Sequence, residues 1–331
     1  MPYRQRNLRA YTVSRMVAPM TNGREGHGGH AHSPAHSHPH SHPGGDQELD
    51  WAAMADHLER AGEITLASLT ETAQWLGDLL AERGTRVRRV LDVGSGPGVA
   101  ACVFAGAFPG AEVVAVDGSE PLLERAALRA AGAGVEAERF RTLRVDLPED
   151  FGALGGADLI WSSRAVHHLG DQQDALNRLA GSLRDGGLLA VAEGGLPMRF
   201  LPRDFGLGRP GLEARIDAVN GEWFTVMRSE LPGAVAVVED WPAMLRRAGL
   251  TPAGSRTFLT DLQAPVDGTV RDYLHAHLSR VREVLGTELD EDDVPVLDAL
   301  LDDGSPHGVR RRPDLFFLTA TTVHTAVRSA R

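Results

Sequence analysis

The stretch from Val90 to Ala100, Val-Leu-Asp-Val-Gly-Ser-Gly-Pro-Gly-Val-Ala, limits what this chain can fold into more than any other. Branched apolar residues interrupted only by Asp92 predict a strand buried on both faces. Gly94, Gly96 and Gly98 predict a tight turn with no side chain in the way. Pro97 suits a first helical turn, and the apolar run Val99 to Phe108 continues it as a helix. Strand, turn and helix together make a shelf where a ligand can meet backbone N–H groups. The glycines read G-x-G-x-G, whereas dinucleotide-binding turns want G-x-G-x-x-G. The spacing leaves an NAD(P)-dependent oxidoreductase as a lesser reading.

The chain beyond this turn alternates strand and helix, the pattern of an α/β domain. Glu112 to Val116 reads as a second strand ending in Asp117-Gly118-Ser119. An acid there, about 20 residues after the glycines, is placed to accept the hydroxyls of a ribose. Ser119 is equally placed to cap the helix Pro121 to Ala131. Phe140 to Val145 reads as a third strand ending in Asp146-Leu147-Pro148. Asp158 to Ser162 reads as a fourth, followed by Ser163-Arg164-Ala165-Val166-His167-His168-Leu169. A helix Asp171 to Arg184 then stops at Asp185-Gly186-Gly187, and a fifth strand, Leu188 to Ala192, ends at Glu193, for which a surface role is the simplest expectation.

In this order the signals resemble those of the class I S-adenosylmethionine-dependent methyltransferases of small-molecule type. The resemblance covers about a third of the chain and implies a Rossmann-like, seven-stranded, mostly parallel sheet with helices on both faces and helical cap insertions. It implies S-adenosyl-L-methionine as cofactor, with Asp92, Gly94, Ser95 and Gly96 forming the first motif and Asp117 with Gly118 holding the ribose. Asp146 and Leu147 would meet the adenine, and the strand end at Ser162 the methionyl part. His167 and His168 are the candidate catalytic bases, because an imidazole titrating near neutrality suits removal of a proton from a hydroxyl or amine. The partner implied is a small organic methyl acceptor with an O, N or C nucleophile.

Composition narrows the remaining choices. The 331 residues carry a net charge of −11, with a pI near 5.7, which argues against a general phosphate-binding surface and so against nucleic acid as substrate. No lysine occurs, so Schiff-base chemistry and a Walker lysine are excluded. Cys102 is the single cysteine, which predicts a structural thiol, no intrachain disulfide and a cytoplasmic setting. No apolar run approaches a membrane span.

The expected divisions are a disordered His-rich segment over 1–46, N-terminal cap helices over 47–85 and a cofactor-binding core over 86–194. A helical lid insertion over 195–237, core again over 238–262, and a second helical insertion over 263–312 follow. A closing strand over 313–325 and a tail over 326–331 complete the chain. The first segment carries His27, His30, His32, His36, His38, His40 and His42, half of the 14 histidines, and weak divalent metal binding is the property such a tract implies. A metal-binding methyltransferase-like scaffold without catalysis is the second alternative. The expected cap helices place Trp51, Met54, Leu58 and Ala61 on one stripe. The strand order that the resemblance implies has both insertions leave from strand ends at one edge of the sheet and cover the site, with Arg199, Arg203, Arg209, Arg215 and Arg228 available to pair with an acid on the acceptor.

Overall fold

A computed structural model describes residues 54–329; the His-rich segment and Trp51 lie outside the described residues. The glycine-turn strand is β1 (Arg89–Val93), four of whose five residues are buried, and it lies between β2 (Glu112–Asp117) and β4 (Ala157–Ser163). Outside β2 runs β3 (Phe140–Arg144), and outside β4 runs β5 (Leu183–Arg199). These five strands are parallel. Beyond them β7 (Phe317–Val327) lies antiparallel between β5 and β6 (Thr251–Leu262), giving the order β3-β2-β1-β4-β5-β7-β6. The expected seven-stranded, mostly parallel sheet is the one observed. From β1 the chain winds outward through β2 and β3, then returns to the other flank of β1 as β4. That reversal opens a crevice at the carboxyl ends of β1 and β4, where the glycine turn sits.

Each face of the sheet is covered because its strands are apolar on both sides. On one face pack α2 (Leu66–Ala81), α3 (Val99–Ala107) and α4 (Glu120–Gly132), contributing Leu76, Phe104 and Leu123 to a core with Val90, Leu159 and Leu188. On the other, α5 (Gln172–Gly181) and α7 (Trp241–Arg247) bury Leu176, Leu179 and Met244 against Leu91, Ile160 and Leu189. Burying each such side chain stabilises the fold by roughly 1.5–3 kcal/mol before chain entropy is counted.

Above the carboxyl edge sits a helical cap with its own core. It combines α1 (Ala55–Ile64), α6 (Leu212–Glu230), α8 (Gly268–Leu285) and α9 (Val294–Leu301). Leu274, Leu278, Leu297 and Leu300 are fully buried there, with Phe200 and Phe317 rising from the strand edge and Ala61 and Ile64 reaching in from α1. A stack of rings ties α1 to α8: His57 lies 4.7 Å from Tyr273 and 6.5 Å from His277, their planes nearly parallel. Both insertions do leave from carboxyl ends at the same edge, since β6, antiparallel to β7, runs parallel to β5.

Strand lengths differ from expectation. The helix expected to reach Arg184 ends at Gly181, because Leu183 already pairs with Ala157 and opens β5; Asp185-Gly186-Gly187 then forms an irregularity within that strand. The fifth strand runs on to Arg199, and the closing strand, expected over 313–325, is Phe317–Val327. The strand that ends the core continuation is Thr251–Leu262. Long antiparallel ladders among β5, β7 and β6 carry pairing past the apolar runs. Apolar runs mark only where a strand is covered on both faces.

Candidate active site

The crevice holds a cavity of about 900 Å³, floored by the ends of β1, β2 and β4 and roofed by α1. Close backbone approach builds the floor. A Cβ on Gly94 would lie 2.4 Å from the Cβ of Ala165, and one on Gly98 would lie 2.5 Å from that of Ala126 on α4. Both residues have positive φ, so no other residue type fits either demand. Leu58, Ala61 and Gly62 of α1 close the roof over Gly96 and Val99.

The N–H groups expected to be open on this turn serve the fold instead. Those of Gly94 and Ser95 both donate to the carbonyl of Val116, at 2.9 Å each; that of Gly96 donates to Asp117 Oδ2 at 2.9 Å, and that of Gly98 to the carbonyl of Ser95. What the cavity receives from the turn is its shape and two acids. Asp92 Oδ2 is sealed from solvent with no hydrogen-bond partner, while the N–H of Ala101 donates to the same carboxyl. Burial pushes the Asp92 carboxyl up to about 7, the Ala101 N–H opposes that, and nearby Asp117 adds to it. Asp117 is raised too, mainly by burial, against the N–H groups of Ser119 and Gly96. The N–H of Gly118 donates to this carboxylate as well, so three of its roughly four acceptor sites are taken and one is kept for a ligand hydroxyl. Ser119 sits at the N-cap of α4, as expected, but its hydroxyl makes no capping bond.

Asp92, Gly94, Ser95, Gly96, Asp117, Gly118, Asp146, Leu147 and His168 all line this one cavity. Ser162 does not. Strand side chains alternate, and its position faces the α5 side in register with Val93, leaving Trp161 and Ser163 to line the cavity. His167 also lies off the large cavity. It lines a second one of about 370 Å³, where its Nδ1 is 2.8 Å from Glu193 Oε2. Glu193 is 5% exposed, and its other oxygen accepts the N–H of Ala165, so the acid expected at the surface is a buried anchor for this histidine. The His168 ring lies 4.2 Å from that of His167, tilted by 48°; burial, then His167 and Arg228, lower it to about 4, so its imidazole is neutral at pH 7.

The insertion arginines mostly serve the cap. Arg199 pairs with Asp217, Arg209 with Asp290, and Arg215 with the buried Asp293. Arg228 donates to the carbonyls of His167, Leu169 and Gly170, pinning the histidine loop to α6. Cys102 is a half-buried thiol pushed up to about 11 by burial, which makes it a poor nucleophile. Among the described residues no His, Cys, Asp and Glu group is arranged to hold a metal ion, and no helix is long and apolar enough to cross a membrane.

The sheet order, with its one antiparallel strand and its glycine turn at the β1–β4 reversal, is the Rossmann-like arrangement that the resemblance implied. Residues 91–189 match a family model described as a methyltransferase domain. An uncharacterised methyltransferase of Mycobacterium bovis is 38% identical over 114 residues, 34% of this chain and 53% of that protein. A trans-aconitate 2-methyltransferase of Mycolicibacterium gilvum is 30% identical over 200 residues, covering 60% of this chain and 66% of the other. The chain thus spans about half the length of the first curated relatives it matches. Among solved structures, an S-adenosylmethionine-dependent methyltransferase from Thiobacillus denitrificans, in complex with S-adenosyl-L-homocysteine, aligns at 19% identity. Its TM-score is 0.42, over 80% of this chain and 98% of that one.

Proposed function

We propose that this protein binds S-adenosyl-L-methionine in the large cavity and transfers its methyl group to an O, N or C nucleophile of a small organic acceptor. The observation that carries this reading is the pair of acids at the cavity floor. Asp92 has an unpartnered, buried carboxylate oxygen and Asp117 keeps one spare lone pair, so the site favours a ligand that is positively charged at one place and hydroxylated at another. When bound, the cofactor supplies a methyl group already activated on positive sulfur. The chain's own residues bind and orient: Asp117 accepts from ribose hydroxyls, Asp92 contributes negative charge beneath the amino-acid end, and Asp146 and Leu147 flank the base. Helix α1 roofs the cavity and keeps water away from the reacting atoms. His168 on the large cavity and His167 on the small one are the groups placed to take a proton from an acceptor. The M. gilvum relative is named for a small organic substrate, which supports a small acceptor here.

Calorimetry on the full chain with S-adenosyl-L-homocysteine and S-adenosyl-L-methionine tests the reading. Both should bind, and Asp117→Ala should weaken both by about 10- to 100-fold through loss of charge-assisted bonds. Failure of the folded protein to bind either compound, or equal binding by the variant, refutes it.

A further inference from the structure

The smaller cavity shares only one lining residue with the large one, Arg164. This residue is the single non-glycine with positive φ among the described residues, at 52°, a conformation that side chains with a Cβ rarely adopt. Strain of that kind persists where the surroundings hold a side chain in a required place. Its guanidinium has no ion pair or hydrogen bond among the described residues, unlike Arg199, Arg209, Arg215 and Arg228. The two acids of the smaller cavity are engaged: Glu193 by His167 and Ala165, and Glu239 by Gln172. Arg164 is the one arginine lining this cavity and has no ion pair among the described residues, while Glu239 is hydrogen-bonded by a neutral amide and keeps its charge nearby.

His167 completes the chemistry. An ionised carboxylate only accepts, so Nδ1–H donates to Glu193 and the lone pair is left on Nε2, which has no partner among the described residues. Phe224 packs edge-on to this ring at 5.4 Å, and Leu196, Pro197 and Trp241 supply apolar wall.

Resting on the cofactor reading of the large cavity, we infer that the smaller cavity is the acceptor site and takes a small, flat organic acid bearing an ionisable hydroxyl. Arg164, which lines both cavities, pairs with the carboxylate, and His167 receives the hydroxyl proton on Nε2. The acceptor oxygen then uses its freed pair to form the new O–CH3 bond as the C–S bond breaks, its electrons staying on sulfur. Glu193 is a positioning residue, fixing the tautomer and balancing the imidazolium.

Ligand-observed NMR titration of the cofactor-free full chain with 3- and 4-hydroxybenzoate, benzoate and phenol tests this. The three carboxylates should bind, and Arg164→Gln should weaken them at least tenfold while leaving phenol unchanged. Leu196→Trp, at a largely exposed position, should fill the cavity and exclude all four probes. Side-chain 15N spectra should show His167 protonated at Nδ1, with Nε2 shifting on hydroxybenzoate addition, and Glu193→Gln should mix the tautomers. Unchanged carboxylate affinity in Arg164→Gln, displacement of hydroxybenzoate by S-adenosyl-L-homocysteine, or an unmoved Nε2 resonance would overturn the assignment. Binding of S-adenosyl-L-homocysteine, measured on the same samples, separates the two readings. Its absence from the unmodified protein refutes the cofactor site, and its presence alongside indifferent acids refutes the acceptor site alone.

Discussion

Replacing Asp92 by Asn isolates the physical strain built into the floor of the large cavity. The carboxyl rises from 3.8 to about 7 on folding because burial disfavours its charged form. Between those values the folded chain holds a proton that the unfolded chain has lost. Stability therefore falls as pH rises through this window and stops falling above about 7. The full shift of roughly 3 units corresponds to about 4 kcal/mol, of which about 2.5 kcal/mol falls between pH 5 and pH 8. An Asn at this position keeps the acceptor for the Ala101 N–H and carries no charge, but its amide N–H groups stand where Oδ2 has no partner, at about 1–3 kcal/mol. At pH 5 the variant should be slightly less stable than the parent, and at pH 8 equal or more stable. The difference in melting temperature between the two proteins should drift by about 5 °C across that range in favour of Asn. Scanning calorimetry of both proteins at matched ionic strength, without cofactor, reads this directly; taking the difference removes contributions from Glu213 and the histidines. Parallel melting profiles from pH 5 to pH 8 would show that Asp92 does not titrate in this window and would remove the argument for a cation above it.

Three further outcomes follow from the same geometry. Affinity for S-adenosyl-L-methionine should tighten as pH rises from 6 to 8, since a cation is held by ionised Asp92, and the slope should vanish in Asp92→Asn; calorimetry at each pH checks it. Gly94→Ala should destabilise the protein by about 2–3 kcal/mol and abolish S-adenosyl-L-homocysteine binding, because its Cβ would meet that of Ala165 at 2.4 Å in a positive-φ turn; urea unfolding and calorimetry read the two effects. Arg228→Met frees three loop carbonyls and should lower stability by about 2 kcal/mol, with faster amide exchange concentrated at residues 167–170.

Much of the core was legible because its signals are local. A buried strand, a glycine turn and a helix start occupy adjacent residues at Val90–Ala100, and acids at strand ends follow at regular intervals, so Asp92, Asp117 and Asp146 could be placed on one edge before any coordinates existed. Which side chains line the large cavity turns on their direction. Ser162 and Ser163 are equivalent in sequence, and only the pleat of β4 sends one toward α5 and the other to the cavity. Glu193 looked like a surface acid because the extra length of β5, fixed by pairing with β7, was invisible in its apolar pattern.

The sequence alone therefore determined the α/β order, the sharp turn after β1 and the row of acids along the sheet edge, since each depends on backbone and side-chain preferences within a few residues. Tertiary structure decided how those groups are used. It turned the glycine-loop amides onto Val116 and Asp117, buried Asp92 without a second partner, bound His167 to Glu193, and set Arg164, with no ion pair among the described residues, on the lining of both cavities. These relations join residues far apart in the chain. They exist only once packing has brought the chain together and water has been removed from between them.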